Sequence, residues 1–118
     1  WRAAIGRLFD RLVVRLDLGA LGSIQGAALP AEFANPLRRF VQFAAEHPEF
    51  NGIMVHAATA PGPRLAWMTE RHVQPCFAGL QPVWRRFVDA GIAASIEARL
   101  IHHVLVGAAS HLFITAAE

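Results

Sequence analysis

Six histidines, one cysteine and nine carboxylates are the side chains through which these 118 residues could do chemistry. A metal needs ligands converging from one helix face or from neighbouring loops. His102 and His103 are adjacent and so point in different directions, His111 lies two turns beyond His103, and no H-x-x-x-H or H-E-x-x-H pair occurs. The histidines therefore read as solvated or interface groups, and no metal or other cofactor is expected. Cys76 follows Pro75 on an apolar face with only Arg71 near it in sequence. A redox thiol needs exposure and a lowered pKa, so a buried, inert thiol is the expectation, and a lone cysteine excludes an internal disulfide and suits a reducing compartment. Catalysis has no supporting arrangement: there is no G-x-S-x-G turn and no Gly-rich phosphate loop, Glu46 and Glu49 flank Pro48, and Glu70 stands alone. The chain does not read as an enzyme.

Binding is better served. Phe40, Phe43, Phe50, Met54, Trp67, Met68 and His72 fall on three neighbouring helical segments. Aromatic and Met side chains of this kind build an adaptable apolar cavity, with His56 or His72 as its orienting polar group. An ordinary core made of the same residues is the alternative. A second set comprises Phe77, Leu80, Trp84, Phe87 and Val88, together with Ile101, Val104, Leu105, Ala108 and Leu112. These offer more apolar surface than a domain of this size covers, and small residues at Gly107, Ala108 and Ala109 let helix axes approach closely. They read as a homodimer interface or as intrachain core.

The elements that must position these groups are helices. Trp1, Ile5, Leu8, Phe9, Leu12, Val13 and Leu16 recur at steps of three and four, opposite Arg7, Arg11 and Arg15. Residues 18 to 30, with Gly19, Gly22 and Gly26, predict a loop with a short turn. Asn35-Pro36 predicts a helix start and His47-Pro48 a helix junction; the next helix stops at Pro61-Gly62-Pro63. Residues 64 to 90 keep helical spacing up to Gly91, yet contain Pro75 and Pro82, which predicts a kink or split near Arg71 to Val73. Ser95 is placed to cap a final helix that is apolar over more than half its circumference. Period-two alternation and internal repeats are absent, so the fold class is all-α, one domain over 1–118, with five to six antiparallel helices.

Composition limits the partners. Apolar residues make up 54% and charged ones 17%, below the usual ~25%. All eleven cations are Arg, spread along the chain against nine carboxylates, a weak footprint for nucleic acid. The longest uncharged run, 100 to 117, is broken by His102, His103, Ser110 and His111, so no membrane span is expected and the location expected is cytoplasmic.

The string RFVQFAAEHPEF ending at Phe50, then GIMVHAATAPGPRLAWMTERHVQPCFAGLQPVWRRFVDAGI, then LIHHVLVGAASHLF, resembles the C-terminal domain of TetR-family bacterial transcription regulators over residues 36 to 115. The most specific parts are His47-Pro48-Glu49-Phe50, Gly62-Pro63-Arg64-Leu65 and Gly107-Ala108-Ala109-Ser110. The resemblance implies a ligand-binding and dimerisation domain that responds to a small hydrophobic effector. Residues 1–17 would be the connector to a helix-turn-helix domain, absent from this chain, that reads operator DNA. The last two helices would form the dimer bundle. A helical dimerisation or partner-binding module with a filled core is the other reading.

Overall fold

In the computed structural model the chain is predominantly helical over its described part, residues 1–24 and 26–115, with backbone alone at 23 and 112–115. Among these residues there is no strand, and no helix is long and apolar enough to cross a membrane. The α-helices are α1 (Arg2–Leu16), α2 (Leu29–Glu46), α3 (Pro48–Thr59), α4 (Pro63–Met68), α5 (Gln74–Asp89) and α6 (Ala98–Thr115). A π-helical turn, Thr69–Val73, fuses α4 to α5, so the segments make five helical rods. Helix α2 packs on α1, α3 and α6, and α6 also packs on α3 and α5.

The amphipathic stripe of α1 buries Ile5, Phe9 and Leu12. The helix stops at Asp17, whose left-handed backbone (φ 47°) a short polar side chain tolerates better than most. Residues 18–23 and 26–28 are 3-10 turns, where the sequence predicts mostly loop. Apolar content decides the outcome: Leu21 and Leu29 are almost fully buried, and the side chain of Arg86 donates to the Leu21 carbonyl. Arg39 donates in the same way to the Leu16 carbonyl at the end of α1, 3.1 Å away. Two of the scattered arginines thus serve to cap chain turns.

Pro36 does not start α2. The helix begins seven residues earlier, at Leu29, and carries Pro36 inside it, because Phe33 and Leu29 bury on the same face as Phe40 and hold the turns around the missing N–H together. Pro48, in contrast, ends one helix and opens the next as expected. Its ring nitrogen has no proton for the Ala44 carbonyl four residues back. Asn51, 2% exposed on α3, supplies the substitute: its Nδ2 donates to that carbonyl at 3.2 Å.

The proline disruption expected near Arg71 to Val73 takes the form of the π turn. Gln74 donates to Thr69, five residues back. The next ladder bond would come from Pro75, which has no N–H, so the slip in register sacrifices no donor there. Helix α5 ends in a Schellman motif at Gly91 (φ 70°), with Gly91 N–H on Val88 and Ile92 N–H on Phe87. Ser95 does not cap α6. The helix begins at Ala98, the Glu97 carbonyl accepting from Leu100 and Ile101, and the preceding non-helical stretch is held by the Trp84 indole N–H on the Ile96 carbonyl.

The buried side chains form two clusters. One joins Ile5, Phe9, Leu12, Phe40, Phe43, Phe50, Ala57 and Met68. The other joins Leu21, Leu29, Phe33, Leu80, Val83 and Phe87.

Candidate functional site

A cavity of about 260 Å³ lies where the two clusters meet. Helix α1 gives it Phe9, Leu12, Val13 and Leu16; α2 gives Phe33, Pro36, Leu37 and Phe40; α3 gives Phe50 and Met54. The opposite wall is Val73 of the π turn, then Pro75, Cys76, Gly79 and Leu80 of α5, with His102, Leu105 and Val106 of α6. Leu18 completes the lining. Val13, Pro75 and Gly79 are its exposed members and mark the mouth between α1 and α5.

The walls carry no charge. Burial pushes the Cys76 thiol pKa up, so the sulfur stays protonated and is a poor nucleophile, in line with the inert thiol expected from sequence. Burial, reinforced by neighbouring His103, pulls His102 below its ordinary value, so its imidazole is neutral near pH 7. Such a space suits an uncharged apolar molecule, since an ion entering it would lose hydration without gaining a counter-charge.

Of the eight residues expected at a pocket, Phe40, Phe50 and Met54 line the cavity. Phe43 and Met68, each 1% exposed, are packed into the first cluster. His56 sits on a separate surface hollow with Trp1, Glu49 and Arg64. Trp67 and His72 face a third hollow with Gly6, Asp10 and Arg71, which meets the cavity only through the shared wall of Phe9, Val13 and Pro75. The His72 ring stacks on Phe9 (4.7 Å, 12°), and its buried Nε2 has no hydrogen-bond partner among the described residues. His56 and His72 thus lie outside the cavity, and the imidazole on its wall is that of His102, which sequence reasoning assigned to solvent or an interface. Residues of α1 were missed for a related reason: its stripe reads as packing surface, and only the fold shows that it forms a wall.

The second set divides between core and surface. Leu80 and Phe87 are buried within the chain, Trp84 stacks on Phe87 (5.8 Å), and Leu80 and Leu105 line the cavity. Phe77, Val88 and Ile101 are half-buried, with Phe77 edge-on to His102 and beneath Arg99. Val104 and Ala108 are exposed, on one face of α6 with Leu100, His103, Gly107 and His111. Leu112 lies outside the residues whose side chains are described.

No family model, curated protein or solved structure matches the chain.

Proposed function

We propose that the chain is the effector-binding and homodimerisation domain of a TetR-type transcription regulator, in which a small apolar ligand in the cavity controls DNA binding by a separate helix-turn-helix domain. The observation that carries this reading is the uncharged cavity lined by five helical rods, with α1 among them. A ligand there touches Phe9, Leu12, Val13 and Leu16 directly, so any packing it prefers is passed to α1 without an intermediary. Coupling on the order of 1–3 kcal/mol between occupied and empty packings is the usual scale for such a switch.

Self-association is supported by surface. The chain exposes 7352 Å², whereas a compact monomer of its 12.9 kDa would expose roughly 6,300 Å². The excess, roughly 1,050 Å², is larger than the ~800 Å² that each partner of an ordinary interface covers. The outer face of α6, with Leu100 and Val104 each 56% exposed and the small residues Gly107 and Ala108 one turn further on, is the strip that a second copy would cover.

Thermal denaturation in the presence of a panel of small apolar compounds tests the ligand reading. Saturating ligand raises Tm in the wild-type protein, whereas Cys76→Phe, which fills the cavity from its wall, abolishes the rise while remaining folded. A panel without any stabilising compound would favour a ligand-free dimerisation module.

A further inference from the structure

We infer that the cavity takes an uncharged, single-ring aromatic molecule bearing one hydrogen-bonding oxygen, and that His102 is the residue that holds that oxygen. The inference rests on reading the cavity as a ligand site and specifies what fills it.

Volume sets the size. At about 260 Å³ the space lies just under the usual range of small-molecule pockets, roughly 300–1,000 Å³, and above the ~150 Å³ that accommodates benzene. One ring with a few added heavy atoms fills a space of this size. The walls set the shape. Phe9, Phe33, Phe40 and Phe50 all line the space, and Phe9 and Phe50 already meet edge-to-face at 5.2 Å and 71°. A flat ring entering among them extends the same edge-to-face pattern, which aromatic quadrupoles favour.

The polar inventory sets the rest. Among the lining side chains His102 carries the ring nitrogens, while Cys76 and Met54 offer only sulfur, a weak partner. His102 meets Phe77 at 6.2 Å and His103 at 5.6 Å, ring edge to ring face, and its nitrogens make no hydrogen bond among the described residues. A neutral imidazole accepts a hydroxyl proton at one nitrogen and donates at the other. One oxygen is thereby satisfied; a second would face hydrocarbon, and a carboxylate or ammonium would be buried without a counter-ion.

Calorimetric titration of the wild-type chain with p-cresol, toluene and benzoate separates the parts of the inference. The expected order is p-cresol tighter than toluene by about three- to tenfold, the value of one net hydrogen bond, with no binding of benzoate. The ring-nitrogen resonances of His102 should move with p-cresol and stay in place with toluene. In His102→Leu the two neutral ligands should become equal, and His102→Gln should restore part of the preference. Equal affinities in the wild type, a preference that survives in His102→Leu, or ring nitrogens that p-cresol leaves unmoved would each overturn the assignment to His102. Should His102→Leu not fold, the nitrogen resonances decide on the wild-type chain. Benzoate binding as tightly as p-cresol overturns the uncharged class. Toluene binding without a cresol preference leaves the cavity a ligand site while removing this inference; binding by none of the three removes the site itself.

Discussion

Single side chains carry much of the fold's precision, and two of them allow direct tests. Asn51 repairs what Pro48 takes away, by donating to the Ala44 carbonyl that Pro48 cannot reach. Asn51→Ala leaves that buried carbonyl unpaired and should lower stability by about 1–2 kcal/mol in urea denaturation with an unchanged m value, and Asn51→Asp by more, because it also buries a charge. The imidazoles set a pH dependence. Burial lowers His72, with Arg71 adding to it and Asp10 weakly opposing, and burial and His103 lower His102. For a base with a depressed folded pKa the unfolded chain takes up the proton first. Stability is therefore complete above the unfolded value of about 6.5 and falls as pH drops below it. Glu46, held down by its ion pair with Arg15 (2.5 Å), and Glu49, held down by His47, add a second loss at lower pH, as each is protonated through its folded pKa. Tm measured between pH 7.5 and 5 should fall toward acid, and His102→Leu should flatten part of that slope.

At the scale of elements, periodicity makes most of the helices legible and local chemistry fixes their ends only where nothing competes. The His47-Pro48 junction and the Gly91 stop can be read directly, since each rests on a backbone restriction that no packing removes. Asn35-Pro36 misleads because burial of Leu29 and Phe33 outweighs one lost hydrogen bond. Residues 18–30 mislead because glycine content masks Leu21 and Leu29, which become core. The proline disruption is legible in place but not in form: only the register of the Gln74 bond shows a π turn. Most of the candidate site is hidden for a different reason, since helix faces say which residues are buried but not which buried residues face a gap. Gly79 offers a test at this scale. It lies inside α5, and an added Cβ meets only Leu18 at 3.9 Å, an ordinary contact. Gly79→Ala should raise stability by about 0.5–1 kcal/mol through helix propensity, measured by chemical denaturation.

For the whole molecule, five rods in an envelope of 41 × 29 × 24 Å leave Leu100 and Val104 of α6 exposed. The proposed self-association places a second copy there. Sedimentation velocity should show a dimer for the wild type and a monomer for Val104→Arg, a substitution on the exposed face that leaves both buried clusters intact; a wild-type monomer at tens of micromolar would exclude this interface. The two clusters have a consequence for how the molecule comes apart. With the space between them empty, each half is bounded on one side by a gap, and dispersion contacts across the seam are missing. The halves should then open as separate cooperative units in hydrogen exchange, amides of α1 and α3 at one free energy of opening and those in the second half of α5 at another. A molecule seated in the seam bonds to neither half alone and welds both. Its signature is a convergence of these exchange rates into a single global opening, so that occupancy is registered as unity of unfolding before any change of shape is seen.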